Sequence, residues 1–196
     1  EMGKLPSVSE FQPLPPNRGW AEKFDEHAWF YLHVTVPQAK DGERISFFME
    51  NEPGVHVNPQ SVVYIDGALV SGMDCNHYEI ELNEAGEHDI MIYACSGAPR
   101  DFPFRFPLIT NFSLKRIDLK TEKLYYDLLA PLQVLGYTQE YSKEYADIMD
   151  KVNRAVNLVD FREIHSKSYE ETLELASAYL RDNLYGNYYK DNATVV

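Results

Sequence analysis

The sequence predicts an α+β fold: an antiparallel β-sandwich, jelly-roll in type, followed by an α-helical connector. Three observations carry that expectation. Short aromatic and β-branched runs recur between turn signals through residues 25–121, the spacing of sandwiches and barrels. Beyond Thr121 the apolar residues recur every three or four positions, the period of helices. The two patterns do not interleave, and strands followed by helices build α+β domains or adjacent modules.

The first 24 residues hold Pro6, Pro13, Pro15 and Pro16, a density that favours an extended arm over a regular element. The strands then follow in order. "AWFYLHVTV" (Ala28 to Val36) ends at Pro37, and "ISFFM" (Ile45 to Met49) follows the Asp41-Gly42 turn. The stretch from Asn51 to Gln60 has no period and reads as a rim loop. "SVVYI" runs into Asp66-Gly67, a dipeptide that tolerates positive φ and suits a two-residue hairpin turn. "YEIEL" (Tyr78 to Leu82) alternates, Ala85-Gly86 turns the chain, and "HDIMIYACS" (His88 to Ser96) reads as a central strand. After Pro99, Pro103 and Pro107, "NFSLKRIDLKT" (Asn111 to Thr121) is the last strand.

Residues 122–196 form the expected connector. Leu124, Leu128, Leu129 and Leu132 make one stripe, which Pro131 is placed to kink or end. Tyr141, Tyr145, Ile148, Met149, Val152 and Val156 make a second. Ser168-Tyr169-Glu170-Glu171 fits a capping box for a third helix through Leu173, Ala176, Leu180 and Leu184, with Gly186 as its stop. The tyrosines at helical spacing (Tyr141, Tyr145, Tyr179), and Trp20 and Trp29, are expected to pack rather than to bind.

The 31 acidic and 18 basic side chains leave a net charge of -13, without the basic stripe that nucleic acid or an anionic membrane requires. No apolar run approaches the roughly 20 residues of a membrane helix. Two cysteines, Cys75 and Cys95, are too few for a disulfide scaffold in a chain this long, and reduced thiols point to the cytoplasm.

Asp74, Cys75, Asn76, His77 and Glu79 crowd one short stretch, which admits a metal site, a sugar-reading loop or a polar turn. Zinc ligands come at close, repeated spacings. His27, His33, His56, His77, His88 and His165 are scattered, none pairs at i, i+4, and no Cys-x-x-Cys exists. No phosphate loop, Gly-x-Ser-x-Gly elbow or kinase signature occurs. No catalytic residue and no metal ligand is assigned. The crowded stretch reads first as a turn between hairpin strands, with Asp74, Asn76 and His77 as the candidates for substrate contact.

The run from Ser61 to Ser96 resembles the amino-terminal region of glycoside hydrolase family 38 α-mannosidases, most closely the bacterial, fungal-vacuolar and cytosolic branch. Val63, Tyr64, Gly67, Gly72, Asp74, Asn76, His77 and Glu79 occupy the places of that family's "VYxxG…G.D.NH.E" segment. "LKTEKLYYDLLAPLQVL" (Leu119 to Leu135) and "NLVDF" (Asn157 to Phe161) resemble the helical connector that follows it, so the likeness spans about Phe24 to Leu184. The resemblance implies a parent that hydrolyses terminal α-mannosides by a retaining mechanism, with a divalent metal (usually zinc) and an aspartate nucleophile. Both belong to a following domain that opens on a Gly-His-x-His-x-Asp motif. No His-x-Asp occurs here, so the resemblance implies a non-catalytic amino-terminal fragment, itself without cofactor. Its implied partners are its own C-terminal catalytic domain, the α-mannoside of the full-length enzyme, and a possible second copy. A free-standing carbohydrate-binding module and a protein-interaction or oligomerisation module are the alternatives. An excess of apolar stripes (Leu124, Leu128, Ile148, Val152, Leu173, Leu180) is expected to leave a patch exposed for the missing domain.

Overall fold

A computed structural model describes residues 4–15, 18–51, 60–74, 76–97 and 107–186. The chain divides into two compact units, 1–116 and 117–196. Of the expected rim loop, Asn51 to Gln60, residues 52–59 lie outside the described set and its two end residues belong to strands; Cys75, His56, Pro99 and Pro103 also lie outside that set.

Seven strands are described: β1 (His27–Val36), β2 (Glu43–Asn51), β3 (Gln60–Ile65), β4 (Ala68–Met73), β5 (Glu79–Glu81), β6 (Gly86–Cys95) and β7 (Thr110–Asp118). They form a four-stranded sheet in the order β1-β6-β3-β4 and a three-stranded sheet in the order β5-β2-β7. Antiparallel ladders join β1 to β6, β6 to β3, β3 to β4 and β2 to β5.

The alternation of the sequence sets which face is covered. On β6, Ile90, Ile92 and Ala94 are fully buried, while Asp89, Met91 and Tyr93 between them are not. Phe30 and Val63 join them from the same sheet, and Ile45, Phe47, Met49 and Ile80 from the other, in one core cluster. Each of the valine, isoleucine, phenylalanine and methionine side chains among them contributes about 1.5–3 kcal/mol by leaving water.

The β3–β4 hairpin closes as its dipeptide predicts. Ile65 pairs with Ala68, and Asp66 (φ 51°) and Gly67 (φ 80°) both take the positive φ of a two-residue turn. The crowded stretch after Met73 is different: it is not the turn of a hairpin. It carries the chain from the edge of one sheet to the edge of the other, because Ile80 pairs with Phe47 of β2 while β4 pairs with β3.

The arm contains one 3-10 turn, Val8–Glu10. At its end Ala21 and Leu108 form an isolated bridge, in which the Trp20 amide donates to the Leu108 carbonyl at 3.0 Å and the Leu108 amide to that of Ala21 at 2.8 Å. Glycine at position 19 permits this approach, since a Cβ there would lie 2.0 Å from Cβ of Pro107.

The second unit holds α1 (Leu119–Leu135), α2 (Lys143–Leu158) and α3 (Lys167–Leu180), followed by a wide turn of π type, Arg181–Tyr185. The last strand therefore stops at Asp118 rather than Thr121: the Asp118 carboxylate accepts the Thr121 amide at 2.7 Å and starts α1. The cap of α3 is Ser166, not the Ser168 of the expected box. His165 takes a left-handed φ of 68°, which sets Ser166 in extended backbone with its hydroxyl on the Tyr169 amide, and the Ser168 hydroxyl donates to Asp160 instead.

Tyr141 is likewise outside its expected helix. It sits at φ 65° in the turn before the Ser142 cap and is 87% exposed, so it packs nothing. Pro131 does not end α1, which runs on to Leu135. A proline lacks the amide that would bond the carbonyl four residues back. That carbonyl, on Asp127, accepts the Tyr185 hydroxyl at 2.7 Å instead. Of the stripe residues expected in excess, Leu124, Leu173 and Leu180 form the helical core with Ala155, Val159, Tyr169 and Ala176, Leu128 packs against it, Val152 is buried and Ile148 is half-buried.

Candidate functional site

The Asp74–His77 turn is built around one carboxylate. Oδ1 of Asp74 accepts the Asn76 amide at 2.8 Å and the His77 amide at 2.9 Å, and lies 3.0 Å from His77 Nδ1. The backbones of Asp74 and His77 close the same turn, each amide donating to the other's carbonyl. These donors, the Asn76 amide first, hold the Asp74 carboxyl below its usual range. The sequence candidates Asp74, Asn76 and His77 are thus brought together, but Asp74 is turned onto the chain itself. His77 extends outward, its side chain 76% exposed.

A second set of polar side chains surrounds the β3–β4 turn and the edge strand β1. Asp66 Oδ1 accepts the Asp89 amide at 2.9 Å, and Oδ2 lies 2.6 Å from His88 Nδ1. His88 Nε2 faces the Glu84 carbonyl at 3.1 Å, so both ring nitrogens meet acceptors. Only the imidazolium donates from both, and Asp66 chiefly raises the His88 pKa while the Asp89 amide chiefly lowers that of Asp66. An open groove of about 240 Å³ runs past this pair, lined also by Glu81, Glu84 and Val70. Nearby, Asp89 Oδ1 accepts the Tyr31 hydroxyl at 2.8 Å and meets His33 Nδ1 at 2.8 Å, and Glu87 lies 3.0 Å from His33 Nε2. Asp89 raises the pKa of His33 and is itself lowered by it.

The face of the four-stranded sheet turned away from the core carries aromatic rings. Register pairs Trp29 with Tyr93 and His27 with Cys95. The Trp29 ring lies 5.1 Å from Tyr93 and 5.9 Å from Tyr64, and the His27 ring stacks on Tyr93 at 5.5 Å. At the end of this row Asp25, His27 and Cys95 converge, with their donor atoms within 4.8 Å of one another. Spacing in the sequence does not reveal that cluster, because strand pairing brings Cys95 beside His27 across 68 positions of chain. A histidine at one end of a strand and a cysteine at the end of its expected neighbour is the signal that could have found it.

The carboxylates of the first two clusters are spent on backbone amides, tyrosine and histidine, an arrangement that holds loops rather than activates a nucleophile. The chain matches no protein-family model and no curated protein at a significant level.

Proposed function

We propose that this chain is a non-catalytic module of a glycoside hydrolase family 38 α-mannosidase, a β-sandwich with a helical connector that packs against the enzyme's catalytic domain. The shared core of the two sheets supports reading them as the layers of a sandwich. The residues that carry the resemblance fit architectural work. Val63 is fully buried, Gly67 supplies the positive φ of the hairpin, Asp74 closes its turn, and Glu79 pairs with Arg44 at 3.0 Å. In "NLVDF", Asp160 is held by Arg162 and Ser168, a tie between the turn after α2 and the start of α3.

The observation that carries the docking role is the apolar surface left on α1 and the turn after it. Leu119 and Tyr126 are seven residues apart, as are Tyr125 and Leu132, so they make two adjoining stripes, and all four are exposed together with Val134 and Tyr137. Those side chains are not among the residues of the helical core. A large apolar surface of this kind marks an interaction site. The catalytic metal and nucleophile belong to the partner domain, and no residue here is assigned either role.

Two measurements test this reading. Residues 1–196 should show no turnover of nitrophenyl α-mannoside; turnover would overturn it. Tyr125→Ser with Leu132→Ser should leave the isolated chain within about 0.5 kcal/mol of its stability and reduce the yield of active full-length enzyme.

The aromatic row of Trp29, Tyr64 and Tyr93 favours a second reading, a carbohydrate-binding module, since sugar rings stack on aromatic faces. Saturable calorimetric binding of mannobiose that Trp29→Ala abolishes would select it.

A further inference from the structure

We propose that Asp25, His27 and Cys95 form a binding site for a divalent transition metal, zinc above all. This site is separate from the metal centre of the α-mannosidase reading, which lies outside this chain, and it stands or falls independently of that reading.

The donor set comes first. A thiolate, an imidazole and a carboxylate together suit zinc and exclude the hard cations calcium and magnesium, which take oxygen ligands. Geometry follows. Two ligands on one tetrahedral zinc, each bonded at about 2.0–2.1 Å, stand roughly 3.3 Å apart, and Asp25 Oδ1 lies 3.4 Å from His27 Nε2. Cys95 is the direct cross-strand partner of His27, and side chains so paired stand on the same face of the sheet. All three donor atoms fall within 4.8 Å of one another, so small rotations about the side-chain bonds close them on one ion. The fourth position is left to water.

The ring of His27 is already oriented for this role. Its Nδ1 lies 2.9 Å from the Tyr93 hydroxyl, and Tyr93 also stacks on the ring. With the proton on Nδ1 donated to that hydroxyl oxygen, Nε2 is free for the metal, and the hydrogen bond on the second nitrogen fixes tautomer and ring orientation as it does in ligating histidines. Nδ1 thus faces Tyr93, and Asp25 lies on Nε2.

Asp25 is placed by the backbone. It adopts φ 60°, its amide donates to the Gly97 carbonyl at 3.0 Å, and the buried Ser96 hydroxyl accepts the Glu26 amide at 3.0 Å while donating to Lys23 at 2.8 Å. The loop before β1 is thereby tied to the end of β6, the two segments a bound ion would bridge. Binding converts the Cys95 thiol to a zinc thiolate, releases its proton to solvent and displaces water from the ion, with no change of oxidation state.

The test uses residues 1–196 under a metal-free reductant, titrated with Co²⁺ and then with Zn²⁺ against a chromophoric chelator. Wild type should develop a thiolate-to-cobalt charge-transfer band at one equivalent, and zinc should displace the cobalt and raise the melting temperature. Cys95→Ser should abolish the band, and Cys75→Ser should retain it. Asp25→Ala and His27→Ala should each weaken binding at least tenfold, and Tyr93→Phe by about 10–100-fold. Far-UV circular dichroism establishes that each variant is folded; should Cys95→Ser fail that check, His27→Ala and Asp25→Ala, at exposed positions, decide. No saturable uptake by wild type, a band that follows Cys75 rather than Cys95, or affinity unchanged in His27→Ala and Asp25→Ala would overturn the site.

Discussion

Asp74 and His77 show how a residue that looks chemical can be a device of the backbone. One carboxylate oxygen serves two amides and a ring nitrogen, so the turn depends on Asp74 far more than on the exposed imidazole. Asp74→Ala should lower the melting temperature clearly more than His77→Ala, and equal losses in thermal unfolding would refute that ranking. His88 makes a pH-dependent counterpart. Its folded pKa is raised above the ordinary value of about 6.5, so its contribution to stability is complete below that pH and is lost as the pH rises through the folded value. Asp66 works in the opposite direction: its carboxyl is held low, and its contribution is present above about pH 4 and lost as the pH falls. A pH titration of the His88 ring by NMR should return a pKa above 6.5, and Asp66→Asn should lower it; no change in that variant would remove Asp66 as the cause.

At the scale of elements, most strands were legible because period two and turn dipeptides are local. The runs ending at Val36 and Ile65 stop where Pro37 and Asp66-Gly67 put them. Which sheet each strand joins was not legible, since β5 pairs with β2 over some 30 intervening residues and nothing local in "YEIEL" names its partner. Helix starts were misplaced where side chains compete. Ser168 has the right spacing for a cap, but Asp160 takes its hydroxyl, and the left-handed His165 hands the cap to Ser166. Pro131 illustrates the same lesson in reverse. Its local effect, an unpaired Asp127 carbonyl, is met by Tyr185, a residue 58 positions away on the wide turn that Gly186 closes through its amide to Arg181 at 2.8 Å. Tyr185→Phe should cost about 1 kcal/mol in chemical denaturation, and a neutral result would mean that water serves that carbonyl equally well.

The whole molecule is two units, 1–116 and 117–196, each with its own core, and the sequence changes from a strand to a helical period near Thr121. Of the residues in the expected stripes, Leu124, Leu173 and Leu180 belong to the helical core and Leu128 packs against it, while a different set, led by Tyr125, Tyr126 and Leu132, is exposed. Periodicity identifies an apolar face but not which of several faces its own unit will use, so the residues left exposed were not legible in the sequence. The Asp25–His27–Cys95 cluster was invisible for a related reason, being made by strand register rather than by spacing. Among the described residues no helix is long and apolar enough to cross a membrane. The proposal that this chain serves an α-mannosidase without performing its chemistry has a direct test. Sequencing the gene past the codon for Val196 tests it most directly. A continuous reading frame into a domain with a Gly-His-x-His-x-Asp motif is expected; a stop codon, or continuation into an unrelated domain, would contradict the proposal.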